Sequence, residues 1–314
     1  MKNKILDKRY HDLLDAGIAP STKKAHEGDV RRFWAYVKTK HHKKEKYPIP
    51  VDLILQFILD HADNKNGPTL KVATLKRYLA SLSVTQQAHG HPSILANVQV
   101  KMLLRRAKRA LPNQAPNKKK PITAAILKKL IQTCDRSLHG VRDKAILYLG
   151  FASGGRRRSE ISNLQVNDIE KTTSGYLITL RQSKTDQEKK GMNVPLTGNA
   201  AKALTVWLKK SKIQEGFIFR GIRTNDALNA YPMNGSSISR MVKRRIVLAG
   251  LNKKDYSAHS LRSGFMTESI NQGVPLLQAM QMTGHSSYDV AAKYFYNTEI
   301  ENNLAVNLID DESP

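Results

Sequence analysis

Residues 111–121 read LPNQAPNKKKP: three prolines, two asparagines and three lysines, with no apolar periodicity. Such a run offers no face to a helix or a sheet, and its composition suits an extended linker. It divides a chain of 314 residues, which is long enough for two cores at about 100–200 residues per domain. The expected plan is an α-helical unit over 1–111, a basic linker over 112–121, a second unit over 122–296, and a terminal segment over 297–314 with an acidic end.

Upstream of the linker the pattern is helical throughout. Pro20, Ser21 and Thr22 open a stripe of Ala25, Val30, Phe33, Trp34 and Val37, which the basic loop KTKHHKKEKYP is expected to end. Pro50 opens a second helix with Leu53, Ile54, Phe57 and Ile58. Gly67-Pro68 precedes a third, with Val72, Leu75, Leu79 and Leu82, which Gly90 and Pro92 stop. A fourth, around Val98–Ala110, sets Val100, Leu103 and Leu104 beside Arg105, Arg106, Lys108 and Arg109. This unit reads as a small all-α domain.

Downstream the character is mixed. Helices are expected near 123–134 and 138–153, and then around Ser159, Ile161 and Leu164. In 166–196, GYLITLRQ and MNVPL are short β-prone runs separated by the polar loop SKTDQEKKG, so a small antiparallel sheet is expected. Helical patterns return at about 199–211, 235–249, 260–272 and 275–282. The fold class is therefore mainly α, with an α+β second domain.

The charge balance is extreme: 52 Lys and Arg against 26 Asp and Glu, a net charge of +26 and a pI near 10.1. A field of that sign favours a polyanion. The acidic groups Glu299, Glu301, Asp310, Asp311 and Glu312 gather after residue 296, where there is no Lys or Arg. A single Cys134 excludes an intramolecular disulfide and a Cys-based zinc site, and fits a reducing compartment. No apolar run approaches the ~18–20 residues of a membrane span, and MKNKILDKRYHD lacks the apolar segment of a secretory signal. A soluble, cytoplasmic protein without membrane partners is expected.

The second unit also carries a dispersed polar set. It comprises an arginine in GGRRRSE, a lysine in RQSKTDQEKKG, His259 and Arg262 in AHSLRSG, His285 in MTGHSS and a tyrosine in AAKYFYN. Guanidinium, ammonium and imidazole groups can neutralise a phosphodiester and manage its protons, and a tyrosine can attack it. The set describes phosphoryl transfer on DNA, and nothing in it calls for a metal or nucleotide cofactor.

In order and spacing these elements resemble the tyrosine recombinases, or phage-type integrases, over roughly residues 20–296. The elements are Arg-x-Ser-Glu, a hairpin lysine, His-x-x-Arg, Gly-His-Ser-Ser, and a tyrosine nine positions after His285. The resemblance selects Arg157 as the phosphate-binding arginine, with Arg156 and Arg158 standing where the family usually has apolar residues. Glu160 would orient it. Lys184 would protonate the leaving 5′ oxygen, with Lys189 and Lys190 as competitors on the same loop. Arg262 would hold the phosphate, His259 would handle a proton near the tyrosine, and His285 would donate to the phosphate. The spacing selects Tyr294 as nucleophile. Tyr288 falls where an apolar packing residue is expected, and Tyr296 is the closer rival.

The resemblance further implies an N-terminal core-binding (SAM-like) domain and a C-shaped clamp on duplex DNA. Strand exchange would proceed through a 3′-phosphotyrosyl link and a Holliday junction in a homo-tetramer on two sites. The apolar positions Ile300, Leu304, Val306 and Leu308 would dock on a neighbouring protomer or pack on their own domain. The rival readings are a type IB topoisomerase and a basic protein that binds DNA without cutting it.

Overall fold

The computed structural model describes residues 17–62, 70–111, 118–181, 191–285 and 287–295, with only the backbone of Lys293 and Phe295. The chain divides into two compact units, residues 1–117 and 118–314.

In the first unit four helices, α1 (Pro20–His41), α2 (Val51–Ala62), α3 (Val72–Ala88) and α4 (Val98–Ala110), surround one core. Phe33, Ile54, Phe57, Ile58, Leu75, Leu79, Leu82 and Val100 are all buried there. Phe33 meets Trp34 and Phe57 edge-on at 5.2 Å, a favoured aromatic geometry. Helix α1 runs one turn further than its sequence suggests. Lys38, Lys40 and His41 complete that turn before His42 adopts a left-handed conformation (φ 51°). Cations at a helix C-terminus complement its dipole, so the basic run continues the helix before it becomes loop. On α4, Val100 and Leu104 are buried while Arg105, Arg106, Lys108 and Arg109 are exposed.

The second unit is mixed, as expected. Helices α5 (Ala124–Gln132), α6 (Leu138–Ala152) and α7 (Arg158–Asn163) precede β1 (Ile169–Lys171), β2 (Gly175–Leu180) and β3 (Met192–Thr197). The three strands form an antiparallel sheet in the order β1-β2-β3, with Ile178 opposite Val194. These alternating residues turn the apolar face inward. Helix α8 (Gly198–Ser211) follows, its Trp207 fully buried and donating from Nε1 to the Ile218 carbonyl at 2.9 Å.

A second hairpin, β4 (Arg220–Ile222) with β5 (Leu228–Pro232), then leads to α9 (Gly235–Leu248), α10 (Ser260–Asn271), α11 (Leu276–Thr283) and α12 (Tyr288–Phe295). The sequence pattern does not disclose that hairpin or α12, because the strands are very short and α12 spans barely two turns. The main core joins Leu130, Ile146, Leu147, Ile161, Val194, Leu204, Phe219, Ile238, Ile246 and Leu261. A separate small cluster of Met266, Ala279 and Ala291 lies under α10, α11 and α12.

One fully buried carboxylate ties this unit together. Asp143 accepts from Arg142 Nη2 at 2.9 Å, Arg244 Nη2 at 2.6 Å, and Arg245 Nε and Nη2 at 3.0 and 2.8 Å. Among the described residues no helix is long and apolar enough to cross a membrane, and no group of three or more His, Cys, Asp or Glu could hold a metal ion.

Candidate active site

The site grows from two helix starts, the end of α11 and the short helix α12. Helix α6 ends in a turn at Gly154 and Gly155, with φ of +92° and +68°, which favours glycine. A Cβ at Gly155 would also collide with the backbone of Arg262. This glycine therefore lets the α6–α7 turn lie directly against α10.

The three consecutive arginines that follow have three different fates. Arg156 is buried, bonds the Met282 carbonyl, and has its guanidinium pKa lowered by burial. Arg158 is exposed and donates to Ser239 Oγ at 2.9 Å. Arg157 lies between them at the N-cap of α7, where its Nη1 donates to Glu160 Oε1 at 2.9 Å and its backbone N–H to Glu160 Oε2 at 3.0 Å. Glu160 thus holds Arg157 by side chain and backbone alike, an arrangement that fixes the guanidinium for a ligand.

His259 caps α10 and Arg262 sits in its first turn. Arg262 is 2% exposed and spends Nη1 on the Thr283 carbonyl at 2.6 Å. Its Nε donates to His285 Nε2 at 3.2 Å, and its buried Nη2 has no hydrogen-bond partner among the described residues. Burial, then the cations Arg157 and Arg156, pull its pKa down to about 10. Such a guanidinium is under-neutralised, and a bound anion would relieve it.

Because the Arg262 Nε–H can only donate, His285 Nε2 is an acceptor here and its proton belongs on Nδ1, 2.8 Å from Thr283 Oγ1. The Thr283 hydroxyl is satisfied in turn by the Ala279 carbonyl at 2.9 Å. Burial, then Arg262 and Arg157, lower the His285 pKa to about 4, so the ring is neutral at pH 7.

Tyr294 closes the set. Its Oη lies 3.4 Å from His259 Nε2, and its ring is 6.0 Å from that of His285. Burial raises the phenol's pKa against the opposing pull of Arg262, while burial and the same arginines lower that of His259. At neutral pH the pair is thus a protonated phenol facing a neutral imidazole, the correct pairing for proton transfer.

The structure therefore brings together five of the residues selected from the sequence: Arg157, His259, Arg262, His285 and Tyr294. Lys184, with its competitors Lys189 and Lys190, lies outside the described residues, as do Tyr296 and residues 297–314. Tyr288 is 61% exposed and so is no packing residue. At the start of α12 its side chain faces water while Ala291 and Ala292 take the buried positions. Thr283, whose Oγ1 lies 2.8 Å from His285 Nδ1, carries no sequence signal beyond its place two residues before that histidine.

Compared with known families, residues 120–300 match the Phage integrase family. An integrase/recombinase XerD homolog of Selenomonas ruminantium is 30% identical over 97% of this chain and 90% of its own length. The tyrosine recombinase XerD of Listeria innocua is 24% identical over 95% of each chain. Among solved structures, XerH site-specific recombinase bound to palindromic difH substrate superposes with a TM-score of 0.61 at 16% identity, covering 90% of this chain and 77% of that one. A lambda integrase dimer bound to a COC' core site gives 0.60 at 18%, covering 92% and 75%. These two show the shared fold, while the family match and the Selenomonas relative establish kinship. The chain belongs to the Phage integrase family, as a tyrosine-type site-specific recombinase.

Proposed function

We propose that this protein cuts and rejoins duplex DNA at a specific site with Tyr294 as nucleophile. The observation that carries the reading is the 3.4 Å approach of Tyr294 Oη to His259 Nε2 beside the unpartnered Nη2 of Arg262. Tyr294 Oη attacks the scissile phosphorus and passes its proton to His259. The P–O5′ bond breaks, and Lys184 supplies a proton to the departing oxygen.

Arg157 and Arg262 spread the charge of the pentavalent transition state over two guanidinium groups. The product is a 3′-phosphotyrosine, which conserves the energy of the broken diester. A 5′-hydroxyl of the partner strand then attacks that phosphorus, its proton going back to Lys184, while His259 returns its proton to the departing phenolate. Four protomers on two DNA sites would run this exchange twice, with a Holliday junction between the rounds. His285 enters as a phosphate donor only after gaining a proton on Nε2, because that atom otherwise accepts from Arg262.

The test is covalent trapping on a suicide substrate carrying the cognate site, followed by peptide mapping of the adduct. Tyr294→Phe should bind this DNA normally and form no adduct. An adduct that survives Tyr294→Phe and disappears in Tyr296→Phe transfers the role to Tyr296. A 5′-bridging phosphorothiolate leaves without a proton, so it should rescue Lys184→Ala and not Arg262→Ala. Recombinant products, as opposed to merely relaxed ones, separate this reading from a topoisomerase.

A further inference from the structure

The cavity at Arg157 and His259 extends well beyond the groups that the cleavage step uses. It runs away from them between α7 and the start of α9, and Arg158, Ser159, Asn163, Asn234, Ser236 and Ser239 line this extension. These residues bring donors and one cation, with no carboxylate among them. Arg158 Nη1 reaches across to Ser239 Oγ at 2.9 Å and so bridges the two helices.

The start of α9 is shaped to fit. Gly235 is its first residue, and a Cβ there would stand only 3.3 Å from Arg158 Cβ, so glycine lets the helix backbone close on the arginine stem. The Asn234 side chain caps only the Ser237 amide, at 2.8 Å. The first amides of a helix have no acceptor within it, and Gly235 and Ser236 both line the groove. Arg156, which also lines the cavity, is 4% exposed, and its Nε has no hydrogen-bond partner among the described residues.

A guanidinium, several hydroxyls and a helix N-terminus, together with a buried unpartnered donor, make an anion cradle. Neither Tyr294 nor Arg262 lines this cavity, so the scissile phosphate keeps the place that the cleavage reading gives it. We infer that this groove holds a second phosphate of the cleaved strand, one flanking the scissile phosphate, and that Arg158, Ser236 and Ser239 are its binding residues. This inference rests on the proposed cleavage at Arg157, Arg262 and Tyr294. Fixing the strand at two successive points would set the scissile phosphorus in line with the phenol, the kind of positioning that lowers a barrier without touching the reacting atoms.

A methylphosphonate replaces one charged phosphate oxygen with a methyl group, so a scan across the site finds each phosphate that matters. The readout is single-turnover adduct formation by the full chain. The wild type should lose about tenfold or more at one flanking position of the cleaved strand, as expected for a charge-assisted contact. Arg158→Ala and Ser236→Ala should each slow cleavage of natural DNA, and neither should be slowed further by a methylphosphonate at that position. Both should remain sensitive at other contacted phosphates. Thermal melts identify a variant that is merely unfolded, in which case Ser239→Ala takes its place.

Variants that keep the wild-type sensitivity at every flanking phosphate, or that cut natural DNA at the wild-type rate, overturn the inference. If the wild type itself forms no adduct, the cleavage reading falls. Equilibrium binding to the same set of duplexes then decides the groove by the same pattern of lost sensitivity.

Discussion

Two knots of arginine lie in the second unit, and they are built to opposite ends. Around Asp143, the guanidinium groups of Arg142, Arg244 and Arg245 converge on one carboxylate with no exposure to water, and Arg245 Nη1 adds the Thr133 carbonyl at 2.6 Å. Around Glu160, Arg157 is held firmly, but Arg156 reaches the carboxylate only at 3.8 Å, and Arg262 is held by carbonyls and a histidine. The first knot closes its bonding and welds α6 to α9. The second leaves Arg156 Nε and Arg262 Nη2 without partners at low exposure, a standing cost that an incoming anion removes. Whether the partners are complete separates an arginine that holds the fold from one that waits for a ligand.

The strongest way to break that contrast is to remove Asp143. Asp143→Ala leaves buried guanidinium groups facing one another and should lower the unfolding free energy by about 3–5 kcal/mol. A urea titration measures it, and cleavage per folded molecule should be unchanged. Arg262→Ala should do the reverse: adduct formation should fall about 10²–10³-fold, with a smaller loss of stability than Asp143→Ala. If Arg262→Ala proves the more damaging to folding, the two knots are not different in kind.

The smallest effect is a titration. His285 titrates at about 4 in the free protein because burial and Arg262 disfavour its cation. A phosphate placed beside Arg262 opposes that field, so ring-proton NMR should show its pKa rising when DNA is added. The same shift affects stability. An unfolded histidine takes up its proton near pH 6.5 and the folded one only near about 4. His285's contribution is therefore whole above 6.5 and is lost as the pH falls through that window. His285→Asn should flatten the melting temperature there.

Much of the fold was legible because it follows local rules. The helical stripes and the β2–β3 alternation act over a few residues, and the resemblance in motif order pointed to Arg157, His259, Arg262, His285 and Tyr294, which the structure brings together. The Asp143 knot was not legible. Arg142-Asp143 reads as a charged pair on a helix surface, whereas its decisive partner Arg245 lies 102 positions away. Arg156 was equally opaque, because three adjacent arginines look alike until the Gly154–Gly155 turn buries one, half-buries the next and exposes the third. The β4–β5 hairpin escaped because RGIRTNDALNAYP offers too few residues per strand for an alternating pattern to register.

The small apolar cluster beneath α12 has a kinetic consequence. Tyr294 rests against Met266, Ala279 and Ala291, apart from the core that stabilises the rest of the unit. Two of these residues are alanines, so little buried surface opposes a shift of the phenol. Occupancy of the reactive position is then a variable of its own, and the observed cleavage rate is the intrinsic rate multiplied by the fraction of molecules with the phenol in place. A partner or a DNA bend that changed this fraction would act as a throttle, altering the speed of cutting while the melting temperature and the affinity for DNA stayed almost constant.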